Sequence, residues 1–265
     1  MNVLLQPTET RFVEIDHCGW GCRWVIQLPE AVNSRQGCAM SYPAIRPAWV
    51  RRGEGAWEYE WRTTRQYVED VTALFRSQDP EGEKFKTDFA VGLALHVGIE
   101  AGDDEVRLTL AITNESSETF EDVRSEGGCL QARNEAFAGG EETARSRILV
   151  GGQMVSMADL HRTNPVRCQY FSEPGREENW FWGRSSQAVD CPVIVGAISR
   201  DGGRAVALGY EHAHAGMQNA DDHHCLHSCP LFGRISPGQC VTRRGWILFG
   251  KDLPALAGDL ARRLR

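Results

Sequence analysis

The chain has 265 residues, 42% of them hydrophobic, enough to bury a large core in one all-β domain. Its net charge is -7, from 36 acidic against 29 basic residues, with no basic patch interleaved with aromatics. That balance argues against a nucleic-acid partner, and no apolar run is long enough to span a bilayer.

The opening "MNVLLQPTETRFVEIDH" has no basic stretch followed by an apolar core, so no signal peptide is read and a cytoplasmic location is expected. Within it, "RFVEIDH" alternates Phe12, Glu14 and Asp16 against Val13, Ile15 and His17, the period of a strand. "HCGWGC", with Gly19 and Gly21 around Trp20, reads as a tight bend, and "CRWVIQL" as the next strand. "WEYEWRT" places Trp57, Tyr59 and Trp61 on one face. "FAVGLALHVGIEA" and "EVRLTLAITN", separated by a short polar stretch, predict a hairpin with Val106, Leu108, Leu110 and Ile112 facing the core. "NESSETFEDV" reads as a polar turn into another strand.

The segment from about Glu135 to Arg147 is polar and rich in Gly and Ala, the composition of a loop or short helix. Strand character returns in "ARSRILVGGQMVSM". "NWFWGR" puts Trp180 and Trp182 on the same side of a short extended piece. "PVIVGAISRDGGRAVALGYEH" predicts a hairpin, because Asp201, Gly202 and Gly203 supply its turn. "TRRGWILFG" is the last strand. The only helix read from the sequence covers about 252–264: Asp252 caps it, Pro254 suits its first turn, and Leu253, Leu256, Leu260 and Leu264 recur at helical spacing. Many short strands with one helix predict an all-β architecture, a large antiparallel β-sandwich spanning residues 1–265 as one domain. The nine cysteines are odd in number and widely spread, so they read mostly as buried thiols rather than a disulfide framework.

One stretch stands apart. "YEHAHAGMQNADDHHCLHSCP", Tyr210 to Pro230, holds five of the eight histidines. If the preceding strand continues through it, Val206, Leu208, Tyr210, His212 and His214 share a face that begins as core and ends polar. Such a face describes the mouth of a sandwich, where pockets sit. His223, Cys225 and His227 share a face if their piece is also extended, and the two groups are expected to converge. Imidazole and thiolate together suit zinc, which makes His212, His214, His223, Cys225 and His227 a candidate metal set. The spacing matches no standard zinc motif, so a site without metal stands beside it. In that site His212, His214 or His227 acts as a base, with Glu211, Tyr210 or an Asp as partner.

Two segments carry a family resemblance. "EVRLTLAITNESSETFEDVRSEGGCLQ" resembles the strand, polar turn and strand of galactose-mutarotase-like β-sandwiches. "CLHSCPLFGRISPGQCVTRRGWILF" resembles the C-terminal part of a bacterial β-sandwich family in which C-x-H-S-D-P precedes L-x-P-G-E-T. Cys225, His227, Ser228 and Pro230 match that pattern, while Cys229 stands in place of its Asp and Gln239 in place of its Glu. The resemblance covers about half of the chain and implies the galactose-mutarotase-like supersandwich fold, whose members handle sugars. It transfers no assigned activity.

The expectation is a carbohydrate-active protein, an enzyme of lyase or epimerase type acting on a sugar or uronate by histidine-based acid/base catalysis, with or without metal assistance. Its ligand is a small molecule or oligosaccharide. Trp180 and Trp182 are candidate stacking surfaces, and Arg46, Arg62, Arg65 and Arg184 candidate cations for a carboxylate. The alternatives are a non-catalytic carbohydrate-binding sandwich and a sandwich with a structural zinc site.

Overall fold

The computed structural model describes residues 2–40, 46–78, 89–138, 145–160, 169–172, 183–185, 187–219 and 225–265. The chain begins with strands β1 (Val3–Pro7), β2 (Phe12–His17), β3 (Cys22–Gln27), β4 (Ala31–Ser34) and β5 (Gly37–Met40). Next come β6 (Val50–Gly53), β7 (Ala56–Arg62), helix α1 (Arg65–Gln78), β8 (Leu93–Ala101) and β9 (Glu105–Asn114). β10 (Phe120–Glu126), β11 (Cys129–Ala132), β12 (Ser146–Val150), β13 (Gln153–Ser156), β14 (Gln169–Ser172) and β15 (Gly183–Arg184) follow. The chain closes with β16 (Ile194–Ile198), β17 (Ala205–Tyr210), β18 (Ala213–Asn219), β19 (Cys225–Ile235), β20 (Cys240–Gly250) and helix α2 (Leu253–Arg263).

These strands form two sheets. The first, of nine strands, runs β13-β12-β16-β17-β20-β9-β8-β7-β6, antiparallel throughout. The second, of eleven, is built around β19. Along one flank of β19 lie β11 and β10, which interrupt each other at Gly127–Gly128; along the other lies β18, followed by β14. β3 pairs with β11 and β4 with β10, so the Leu28–Glu30 corner between them sits opposite the glycine break. Gly127 has no alternative there: a Cβ would stand 2.6 Å from Pro230 and 2.9 Å from the Tyr210 ring.

The two sheets pack through one hydrophobic cluster. Val106, Leu108, Leu110 and Ile112 of β9 are buried in it, as their alternation requires, against Trp24, Ile26, Leu130 and Leu226 of the larger sheet. Each such side chain contributes roughly 1.5–3 kcal/mol by leaving water. Helix α2 covers the far side of the smaller sheet, with Leu253, Ala257, Leu260 and Leu264 on Ile194, Ala205, Ala207 and Leu248. Asp252 caps it by accepting from the Ala255 N–H at 3.2 Å.

Helix α1 is an addition to the sequence reading. Thr64 caps it, its hydroxyl accepting from the Tyr67 N–H at 3.1 Å, and Tyr67, Val71 and Phe75 form its buried stripe. Neither helix among the described residues is long and apolar enough to cross a membrane.

The predicted hairpin is β16 and β17, but its second strand ends at Tyr210. Glu211 and His212 form a tight corner that carries the chain from the nine-stranded sheet to the eleven-stranded one. The Glu211 N–H donates to the Arg244 carbonyl at 2.8 Å, and its carboxylate accepts from the Arg244 N–H at 2.9 Å. On the other side the Leu231 N–H donates to the His212 carbonyl. His212 adopts φ +53°, the left-handed conformation that ends a strand. The expected continuous face from Val206 to His214 therefore does not exist.

Candidate functional site

The two faces of the eleven-stranded sheet differ in chemistry. Leu226, Ser228 and Phe232 of β19 point into the sandwich, where the Ser228 hydroxyl donates to the Val193 carbonyl at 2.8 Å and accepts from the Tyr210 N–H at 3.1 Å. By alternation, Cys225, His227 and Cys229 point out of the sandwich. The ladder registers place Ala215 and Met217 of β18, Gln131 and Cys129 of β11, and Gln27 of β3 on this same outer face. Cys129, Cys225, Cys229, Ala215 and Met217 are buried yet belong to neither hydrophobic cluster. The outer face is thus a second buried surface, and a polar one.

Its centre is built from three strands and a corner. Cys225 and His227 are two residues apart on β19 and so neighbour each other on one side of the pleat. Extending the β11–β19 register by one step sets Cys129 opposite His227. His227 Nε2 lies 3.0 Å from Cys225 Sγ and 3.5 Å from Glu30 Oε2. Gln131 Nε2 donates to Cys129 Sγ at 3.2 Å, and Arg133 Nη2 donates to Gln131 Oε1 at 2.5 Å. Arg133 is exposed.

Glu30 is held by its backbone. Arg11, 1% exposed, donates from Nη1 to the Pro29 carbonyl at 2.5 Å and to the Glu30 carbonyl at 2.9 Å. The Tyr59 hydroxyl donates to the Leu28 carbonyl, and the Glu30 N–H donates to the Glu126 carbonyl at 3.1 Å. The corner is therefore pinned at three successive residues. The Glu30 side chain keeps 28% exposure as a whole, but Oε2 itself is enclosed and has no hydrogen-bond partner among the described residues. Burial raises the Glu30 carboxyl above its ordinary range, and the nearby Arg11 charge and a hydrogen bond with the Cys129 thiol oppose that rise. Burial likewise pushes the Cys129 thiol well up, helped by Cys225 and Glu30.

Further polar atoms point at this face. Gln27 Nε2 and Asn33 Nδ2 are buried without a hydrogen-bond partner among the described residues. Gln27 pairs with Cys129; Asn33 pairs with Arg124 and alternates with the core residue Val32. Buried donors left unpaired are costly, and a hydroxyl-rich ligand is one way to satisfy them. A narrow cleft lined by Trp24, Leu130, Gln218, Leu226 and, at its edge, Cys225 holds about 20 Å³, room for a water-sized molecule but not for a sugar ring.

The expected site residues are only partly brought together. Cys225 and His227 share a face, as predicted. His212 is exposed in the corner, and Glu211 is spent on Arg244. Tyr210 is fully buried with its hydroxyl on the Gly127 carbonyl at 3.1 Å, a strut between the sheets rather than a lining residue. His214 is buried at a bulge on β18 and is not among the clustered ligand groups. These placements correct the expected convergence of His212 and His214 with His227. Arg46 is exposed, Arg65 opens helix α1, and Arg62 pairs with Glu115 at 3.1 Å. The Arg184 backbone lies in β15; its side chain, Trp180, Trp182 and His223 lie outside the described residues. The sequence reading missed Glu30, Cys129 and Arg11, which reach the site through register and a corner rather than through a local motif.

No family model matches the chain, and no curated protein matches it. Among solved structures it is similar to a galactose mutarotase-like protein from Lactobacillus casei, at 9% identity and a TM-score of 0.52, covering 93% of this chain and 99% of that one. It is also similar to a protein from Synechocystis sp., at 8% identity and a TM-score of 0.51, covering 94% and 95%. Identities this low speak for the fold alone. The chain folds as a galactose-mutarotase-like β-sandwich, with a polar face on its larger sheet.

Proposed function

We propose that the protein is a carbohydrate-active enzyme whose site is the polar outer face of the eleven-stranded sheet. The observation that carries this reading is the enclosed Glu30 Oε2, 3.5 Å from His227 Nε2, on a sheet face that also carries the unpaired amide donors of Gln27 and Asn33. A carboxylate so placed can move a proton to or from a bound sugar, while the amides bind hydroxyls. Glu30 is the acid/base residue, His227 orients it, and Arg11 positions the corner that carries it. Arg133, exposed beside Gln131, is the cation available for a carboxylated sugar. Proton abstraction next to that carboxylate leads to epimerisation if the proton returns on the other face. It leads to elimination if the leaving oxygen departs instead.

The test is incubation with neutral hexoses and with oligouronates in heavy water. Solvent deuterium entering the sugar, or an unsaturated product, reports either outcome. Glu30→Gln should lower turnover at least a hundredfold while sugar binding persists. Turnover unchanged in Glu30→Gln would remove Glu30 from the chemistry. Binding without turnover in the unaltered protein would favour the non-catalytic carbohydrate-binding alternative.

A further inference from the structure

The ligand atoms of Cys129, Cys225 and His227 all lie within 4.8 Å of one another, and all three residues are buried. Glu30 Oε2 adds an enclosed oxygen at 3.5 Å from His227 Nε2. We propose that Cys129, Cys225 and His227 hold a zinc ion as its three protein ligands, leaving a fourth position open, with Glu30 beside the centre and not bound to it. Zinc bonds of about 2.0–2.3 Å in a tetrahedron set the ligand atoms roughly 3.3–3.8 Å apart. The 3.0 Å between His227 Nε2 and Cys225 Sγ lies just below that range, and the 4.8 Å limit on the three ligand atoms asks for some side-chain adjustment.

The donor set selects the metal. Two thiols and an imidazole are soft and borderline ligands, which favour zinc and disfavour magnesium or calcium. On binding, each thiol loses its proton to solvent and each sulfur forms one bond to the ion, with no change of oxidation state. Outer groups are in place as such a centre requires. Gln131 Nε2 donates to Cys129 Sγ at 3.2 Å and fixes that sulfur, and Arg11 holds the Glu30 backbone. The sequence-based set of five ligands is thereby revised: Cys225 and His227 stay, Cys129 enters, His212 and His214 leave, and His223 lies outside the described residues. A metal here rests on and deepens the sugar reading, because its open position would lie on the same face beside Glu30, yet each is measured separately.

Elemental analysis of the purified protein should give one zinc per chain. After chelation, titration of the unaltered protein with cobalt(II) should produce the near-ultraviolet band of thiolate-to-cobalt charge transfer. Cys225→Ser and His227→Ala should each weaken metal binding more than tenfold, and Gln131→Ala about tenfold. Cys229→Ser, on the same strand and face, should bind as the unaltered protein does. A metal-free protein that also shows no charge-transfer band overturns the proposal without relying on any variant to fold. So does a band that survives Cys225→Ser. Zinc with no sugar turnover would leave this centre standing and sink the enzyme reading; sugar turnover in a protein that binds no metal would do the reverse.

Discussion

Ser228 joins the two sheets directly beneath the candidate site, and removing its hydroxyl has a calculable cost. The side chain is fully buried, donates to the Val193 carbonyl at 2.8 Å and accepts from the Tyr210 N–H at 3.1 Å. Ser228→Ala leaves one backbone acceptor and one backbone donor enclosed, with almost no change of volume. At about 1–3 kcal/mol for each stranded group, the loss should fall near 3 kcal/mol. In a chain of this size each kcal/mol moves Tm by roughly 2–4 °C, so Tm should drop by about 6–12 °C. Urea unfolding followed by tryptophan fluorescence measures it, with the midpoint lowered and the slope unchanged. Ser34→Ala is the control, since its hydroxyl donates only to the Gly37 carbonyl in a partly exposed turn; it should cost under about 1 kcal/mol. A loss below about 0.5 kcal/mol in Ser228→Ala would refute the claim that this hydroxyl bridges the sheets.

Arg11→Met should destabilise the fold by about 3 kcal/mol, because two carbonyls at the Pro29–Glu30 corner lose a charged donor. Calorimetry checks it, and an unchanged Tm would mean the corner holds itself. The β16–β17 turn carries a small pH dependence. Hydrogen bonds from the Ser199 hydroxyl and the Gly203 N–H hold the Asp201 carboxyl below its usual range. A lowered folded value means stability present above the unfolded value and lost as pH falls through the folded one. Asp201→Asn should therefore show a flatter acid limb in its Tm profile, and an identical limb would contradict this role.

Much of the fold was legible because burial imposes a period. The β9 core face, the β16–β17 hairpin and the capped C-terminal helix follow from alternation, turn chemistry and helical spacing. Helix α1 was legible too, in the spacing of Tyr67, Val71 and Phe75 behind Thr64, but its short stripe is easily passed over among strands. The corner at Glu211–His212 was not legible. A period-two pattern runs through it unbroken, and nothing local marks His212 as left-handed where Gly or Asn is usual. The site itself is a long-range construction. Glu30, Cys129 and His227 lie far apart in sequence and meet only through the β3–β11–β19 register. Arg11 reads as an ordinary polar residue ahead of a strand; its burial follows from the corner it supports.

The central claim is that the polar face around His227, and not the His212 corner, receives the sugar. Histidine-selective isotope labelling with NMR tests it most directly, with assignment by His212→Gln and His227→Gln. Titration with a sugar or uronate that binds should shift the His227 ring resonances and leave those of His212 in place. Movement of His212 with His227 unchanged would contradict it.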